Sequence, residues 1–287
     1  MFGVITVGVD GSAHAAAAVD WAAEDAARAG AVLRIVHVRE PWAGEYPFHR
    51  MEGFNESLTD YCAGVLDAAA GRAREHVPGL EVSTALITGA VVERLRHESE
   101  NADTLVLGSR GMGGFTGLVL GSVGLALAGH AAGPVVIVRD VRPASYRKVV
   151  VGVDGSPHSE AALGFAFEQA SARGWQVEAV HSWPMPALSP VAAGYTDIMS
   201  DVSEAGTRGM RQWLAPWRDK FPDVPVTETG ICGHPVPALG EASQTADLLV
   251  VGSRGLGGFT AALLGSVGHG VLHHAHCPVA VVRPRPA

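Results

Sequence analysis

Lysine is almost missing from this chain of 287 residues: Lys148 and Lys220 are the only two. A mechanism that needs a lysine in each half is excluded, and paired phosphate sites must rest on backbone N–H groups, hydroxyls or arginine. Cysteine is scarce as well. Cys62, Cys232 and Cys277 form an odd set with no CxxC spacing, the reverse of a disulfide-stapled secreted framework, so a reducing, cytoplasmic setting is expected. Positive charge is in deficit: 21 basic residues against 29 acidic ones give a formal charge of −8. Broad attraction to nucleic acid or to anionic lipid is therefore not expected. Charged residues make up only 17% of the chain and hydrophobic ones 47%, too apolar for disorder and enough for two ordinary domains.

A basic leader is lacking too. Met1 and Phe2 run straight into the apolar residues 3–9, with Asp10 next, so no signal peptide is expected and the mature chain starts as written. Residues 111–138 carry no Asp, Glu, Lys or Arg over 28 positions, which meets the length rule for a membrane helix. Eight glycines and Pro134 within that run make a poor continuous helix. Its counterpart in the second half holds His269, His273, His274 and His276, which are costly in hydrocarbon. Stable membrane insertion is not expected.

What is present is a repeat. The run Val7-Gly-Val-Asp-Gly-Ser12 returns as Val151-Gly-Val-Asp-Gly-Ser156, an offset of 154 − 10 = 144. At the same offset, residues 105–139 and 249–283 share 21 identities in 35 positions. A period this long suits a whole domain rather than a solenoid unit. Two tandem domains are predicted, over residues 1–140 and 147–287, joined by a short polar stretch around Pro143.

Within the first copy, apolar β-branched runs alternate with helical patterns. Strands are predicted at residues 3–9, 31–38, 81–87, 104–108 and 135–139. Helices are predicted at residues 13–29, stopped by Gly30, and at 56–77, 91–102 and 122–131. Strands separated by helices imply parallel crossovers and a sheet covered on both faces. The class is α/β, doubly wound, twice.

In such sheets ligands bind beyond the carboxyl ends of the strands, where strand order reverses. The first strand ends in Asp10, with Gly8 permitting close approach. The fourth ends in Gly108-Ser109-Arg110-Gly111-Met112-Gly113-Gly114, a loop able to wrap oxygen atoms with N–H groups. Gly121 and Ser122 follow, where the last helix starts and unpaired N–H groups favour an anion. The second copy offers Gly152, Asp154, Gly252, Ser253, Arg254, Gly255, Leu256, Gly257, Gly258, Gly265 and Ser266. Neither the dinucleotide GxGxxG nor a Walker GK[ST] is present. The plainer alternative makes these glycines tight turns and Asp10 the N-cap of the following helix.

The spacings Gly108-x2-Gly111-x9-Gly121-Ser122 and Gly252-x2-Gly255-x9-Gly265-Ser266 resemble the ATP-binding signature of the universal stress protein family, as does each opening Val-Gly-Val-Asp-Gly-Ser. The resemblance covers essentially the whole chain as two tandem domains. It implies a Rossmann-like, five-stranded parallel sheet of order 3-2-1-4-5 in each, with ATP at the carboxyl edge. By position it assigns Asp10 and Asp154 to the ribose hydroxyls. Val38 and Ser182, at the ends of the second strands, are assigned to adenine through backbone groups. The glycine loops, Ser122, Ser266 and the N–H groups of Val123 and Val267 are assigned to the phosphates, with Arg110 and Arg254 as further phosphate partners and Mg2+ on the phosphates. It also implies pairing of the final strands, residues 135–139 against 279–283, within one chain, and homodimerisation through the remaining surfaces. One departure stands out: the family often has Gly-x-Pro after the third strand, as in Gly233-His234-Pro235, but the first copy reads Gly89-Ala90-Val91. That places the shape of the first pocket in question.

A nucleotide-binding stress-response regulator, cytoplasmic, is the expected function. The competing reading is a slow ATPase or a nucleotidyl or phosphoryl transferase on the same fold. Phosphoryl transfer needs metal and positive charge at the γ-phosphate, and the loops supply one arginine each, no lysine and no adjacent acid pair. The segment 39–55, with four aromatics, reads either as a lid or interface or as a plain surface loop. His269, His273, His276 and Cys277 have metal-like spacings, but Leu125, Gly129, Ala132 and Gly133 stand there in the first copy. A metal function shared by both copies is excluded, and a helix end carrying histidines is expected. Trp213 and Trp217, at helical spacing, are expected to pack rather than to bind.

Overall fold

A computed structural model describes residues 3–40, 54–111, 120–139, 145–183, 195–256 and 264–284. The chain divides into two compact units, Met1–Val141 and Arg142–Pro286.

The first unit runs β1 (Val4–Gly8), α1 (Ala13–Ala29), β2 (Val32–Arg39), α2 (Phe54–His76), β3 (Val82–Thr88), α3 (Val91–Glu98), β4 (Thr104–Gly108), α4 (Ser122–His130) and β5 (Val135–Val138). Its strands pair in the order β3-β2-β1-β4-β5, every pair parallel. The second unit repeats this with β6 (Lys148–Val153), α5 (Pro157–Arg173), β7 (Gln176–Trp183), α6 (Tyr195–Lys220), β8 (Val226–Cys232), α7 (Pro235–Ala242), β9 (Leu248–Gly252), α8 (Ser266–His274) and β10 (Val279–Val282). Their order is β8-β7-β6-β9-β10, again parallel. These are the strand orders that the family resemblance implies.

Right-handed crossovers follow from that order. In the first unit α1 packs against α2 and α3 against α4, one pair on each face of the sheet. The chain leaves β1 toward β2 and leaves β4 toward β5, so the crevice between the ends of β1 and β4 is the switch point. Central strands buried on both faces explain the unbroken valine and leucine runs: β4 and β9 are buried at every position but the last.

The alanine-rich α1 lets helix and sheet approach closely, with Ala18, Ala22, Ala23 and Ala26 fully buried. Gly30 closes it as C-cap with φ of 60°. Trp217 stacks on Phe167 at 6.1 Å between ring centroids, and Trp213 meets the edge of His181 at 5.2 Å, so both tryptophans pack, as expected.

One boundary in the first unit differs from its sequence expectation by more than two residues. The helix expected over residues 91–102 ends at Glu98. Ser99 Oγ donates to the Arg96 carbonyl at 2.5 Å and accepts from the Ala132 N–H at 3.0 Å. A hydroxyl that bonds its own turn and a distant segment ends the helix without Gly or Pro. Ser243 does the same in the second unit, donating to Gly240 O at 2.5 Å and accepting from His276 N at 2.9 Å.

Candidate functional site

The switch point of each unit is built around one aspartate. At the end of β1, Asp10 Oδ1 accepts the Ser12 N–H at 3.0 Å, while Gly11 turns the chain with φ of 89°, a backbone region that disfavours other residues. Ser12 Oγ then accepts the Ala15 N–H at 3.1 Å and caps α1. The cap is therefore Ser12 and not Asp10, which corrects the plainer alternative. The second unit matches: Asp154 Oδ1 accepts from Ser156 N at 2.9 Å, Ser156 Oγ accepts from Ser159 N at 3.1 Å, and Gly155 has φ of 79°.

The same carboxylates reach across to the glycine loops. Asp154 Oδ2 accepts the Leu256 N–H at 3.1 Å. A Cβ on Gly255 or on Gly111 would lie 2.5 Å from Oδ2 of Asp154 or Asp10, so a side chain there would push the carboxylate aside. Asp154 thus ties the ends of two strands that are about a hundred residues apart in sequence, and Asp10 lies over Gly111 in the same way.

Gly108 and Gly252 have a different reason to be glycine. A Cβ there would lie 2.7 Å from the backbone carbon of His14, or 2.8 Å from that of His158, because the first turn of α1 or α5 crosses directly over the strand end. Ser109 and Ser253 are buried and hold the loop from behind. Ser109 N donates to Val138 O, and its carbonyl accepts the Gly121 N–H, both at 2.8 Å. Ser253 repeats the pattern at 2.7 and 2.8 Å. These two serines position the loop, and Ser109 does not line the cavity.

Beyond the loop, α4 and α8 begin at Ser122 and Ser266 after Gly121 and Gly265, and among the described residues no side chain caps either helix. The first N–H groups and the positive end of the helix dipole are left facing the crevice. Arginines gather at the same edge. Arg110 and Arg254 follow β4 and β9; Arg139 and Arg283 follow β5 and β10. Burial, and then the charge of Arg254, push the Arg283 guanidinium below its usual pKa. His158 is lowered by burial and by Arg254 and Arg283, against the opposing pull of Asp154. Arg254 Nε is buried without a hydrogen-bond partner among the described residues. Two guanidiniums crowded under an uncapped helix end make a cradle for an anion of several charges.

In the first unit these groups open on a cavity of about 630 Å3, the size of a small-molecule site. Its lining includes the strand-end and helix-start residues Asp10, Arg110, Gly111, Gly121, Ser122 and Val123 and the apolar side chains of Val36, Val38, Val91, Leu95 and Leu107. A flat apolar group fits the second set and an anion the first.

The sequence profile of the Universal stress protein family matches residues 1–139 and 145–283. The chain belongs to that family. A universal stress protein of Mycobacterium tuberculosis is 36% identical over 300 aligned residues, covering 97% of this chain and 94% of the relative. One from Mycolicibacterium smegmatis is 35% identical, covering 98% and 97%. Among solved structures, a universal stress protein from Archaeoglobus fulgidus superposes with a TM-score of 0.69 at 20% identity, covering 98% of each chain, a likeness of fold.

Gly8, Asp10, Val38, Gly108, Arg110, Gly111, Gly121, Ser122 and Val123 of this universal stress protein come together around one cavity. In the second unit Gly152, Asp154, Ser182, Gly252, Arg254, Gly255, Gly265, Ser266 and Val267 occupy the corresponding strand ends and helix start. Leu256 is 76% exposed, and its N–H is taken by Asp154. Met112, Gly113, Gly114, Gly257 and Gly258 lie outside the described residues, as does most of the 39–55 segment. The question raised by Gly89-Ala90-Val91 is answered by the backbone. Gly89 has φ of 152° and Gly233 of 154°; Gly89 N bonds Arg39 O at 3.0 Å and Gly233 N bonds Trp183 O at 2.9 Å. The loop follows one path with or without proline.

Sequence reasoning missed three pairs. His37 Nδ1 donates to the Val9 carbonyl at 2.7 Å and His181 Nδ1 to that of Val153 at 2.8 Å, pinning the second strand to the aspartate turn. His14 and His158 supply the backbone over the glycines, and Arg139 and Arg283 add the second cation. All three pairs keep the 144-residue offset, a signal that was available.

The two sites are not identical. Ser159 Oγ accepts the N–H groups of Asp154 at 3.3 Å and Gly155 at 3.2 Å, where the first unit has Ala15. Ser182 Oγ donates to the Gly233 carbonyl at 2.5 Å, where the first unit has Val38. The second site is stitched by hydroxyls that the first lacks.

Proposed function

We propose that this universal stress protein binds ATP, one molecule per unit, and acts in the cytoplasm as a nucleotide-dependent stress-response regulator. The observation that carries the reading is the start of α8, with no N-cap side-chain bond among the described residues, beside the crowded pair Arg254 and Arg283, and α4 starts in the same way. Such an edge is stabilised by a polyphosphate, and the buried Arg254 Nε with no partner among the described residues fits a phosphate oxygen. Asp10 and Asp154 would accept from ribose hydroxyls, and the apolar side chains of the cavity would take adenine. Mg2+ would ride on the phosphate oxygens and water, as it does where substrate supplies its ligands.

Regulation follows from position. Leu256 sits on the glycine loop, exposed, with its N–H on the aspartate proposed to bind ribose. Nucleotide at that aspartate would reset the loop and the apolar side chain it presents to a partner. Pairing through the valine-rich final strands, and homodimerisation through the remaining surfaces, belong to the same proposal, since a strand of that composition at the end of a unit's own strand order invites pairing.

Titration with ATP, ADP, AMP and cyclic AMP tests the ligand class. Tightest binding of the triphosphate is expected, with a steep loss of affinity as salt is raised; equal binding of adenosine and ATP would contradict the cradle.

His158 gives a second expectation. Its pKa is lowered in the free protein, and an anion bound beside Arg254 and Arg283 would raise it. Binding at the second site therefore takes up a proton, and affinity gains from this group as pH falls through the range just below 6.5. Calorimetry in buffers of different ionisation enthalpy measures the uptake. The difference between wild type and His158→Asn isolates it from the ionisation of ATP itself.

A further inference from the structure

The outer face of α8 carries a feature that nucleotide binding does not use. His269 and His273 are one turn apart, and their rings lie 4.8 Å apart between centroids with planes at 43°. His269 is exposed and His273 half-buried. Residues at i and i+4 share a helix face. Imidazole is a preferred ligand of borderline transition-metal dications. With a Zn–N bond of about 2.0–2.1 Å and roughly 1.1 Å from nitrogen to ring centre, each centroid sits about 3.2 Å from a shared ion. Bond angles of about 90–110° then separate the centroids by about 4.5–5.2 Å, the range in which the observed pair falls.

We infer that His269 and His273 form a two-histidine site for a borderline transition-metal dication such as Zn2+, on the outer face of α8. Among the described residues no group of three potential metal ligands occurs, so water or an oxygen of a solution anion completes the coordination. The site belongs to the second unit alone: α4 has Leu125 and Gly129 at the matching positions.

Its consequence is mechanical. α8 is nine residues long and contains Gly268 and Gly270, which favour unwinding. A metal clip across one turn opposes that unwinding, and the N-terminus it steadies carries Ser266 and Val267.

The test uses the tag-free full chain without nucleotide, so its result does not depend on the ATP reading. Calorimetric titration with zinc chloride in a non-chelating buffer is expected to show one saturable ion per chain. His269→Ala and His273→Ala should each weaken it at least about tenfold, more than the loss of an outer-shell partner does at the low end, while His130→Ala leaves it unchanged. Circular dichroism checks that the variants stay folded. Hydrogen exchange of the α8 amides should slow with zinc in wild type and not in the two variants. Absence of saturable binding in wild type, or binding of undiminished affinity in both variants, would overturn the assignment.

Discussion

Asp154→Ala is expected to weaken ATP binding at the second site by about ten- to a hundredfold and to leave the first site intact. The carboxylate accepts two loop N–H groups, from Ser156 at 2.9 Å and Leu256 at 3.1 Å. Hydrogen bonds to a charged group contribute about 1.5–3 kcal/mol each, and about 1.4 kcal/mol is a factor of ten in affinity. Removing the carboxylate takes away the proposed ribose acceptor and frees the loop that shapes the phosphate cradle. Asp10→Ala should do the same for the first unit. At ATP about ten times the wild-type Kd, equilibrium dialysis should find about 1.0–1.4 ATP per chain in each single variant and about 0.2–1.0 in the double, against about 1.8 in wild type. Equal loss at both sites in a single variant would show that the aspartates do not act locally.

A pair of glycine substitutions separates stability from binding in a way that charge alone cannot. Gly252→Ala places a methyl 2.8 Å from the backbone of His158. Backbone in the first turn of α5 has no rotamer by which to escape, so β9 and α5 must part. Overpacking of this kind costs about 1–3 kcal/mol, and the urea midpoint should fall along with ATP binding. Gly255→Ala places its methyl 2.5 Å from Asp154 Oδ2, the end of a side chain that can rotate away. Stability should change by less than about 0.5 kcal/mol, as for surface substitutions. ATP affinity should still fall, because the displaced carboxylate loses Leu256 and its place at the site. If Gly255→Ala bound ATP like wild type, the aspartate would not be part of the nucleotide site.

The alternation of apolar runs and helical patterns was enough to read a doubly wound α/β fold, and the 144-residue repeat showed that it occurs twice. Valine-rich strands buried on both faces write that pattern plainly. The site was legible where chemistry sits at a strand end, as with Asp10, Gly108 and the start of α4. It was not legible where the deciding bond joins distant parts of the chain. His37 to the Val9 carbonyl, Ser109 to Gly121, and Ser99 to Ala132 leave no periodic trace, since each is one side chain or carbonyl meeting backbone from another element. Arg139 and Arg283 look like ordinary strand ends until the sheet brings them beside the loop arginines. Those residues were nevertheless marked, because each histidine and arginine recurs at the repeat offset while neighbours such as Leu125 and His269 have drifted.

The differences between the copies also have physical content. Ser159 fastens the second aspartate turn, and Ser182 the loop at Gly233, with hydroxyls, whereas Ala15 and Val38 line an open cavity in the first unit. The two nucleotide sites should therefore differ in affinity, which the single aspartate variants would resolve one site at a time.

The central claim is tested most directly by counting the nucleotide that the protein carries. Freshly purified full-length chain is stripped in acid, its nucleotides are separated and quantified, and the refolded or nucleotide-depleted protein is titrated back with ATP while products are followed. The account predicts saturation at two ATP per chain, recovered intact. A protein that carries no nucleotide and shows no saturable ATP binding would contradict it, and steady release of ADP would replace the binding regulator with an enzyme.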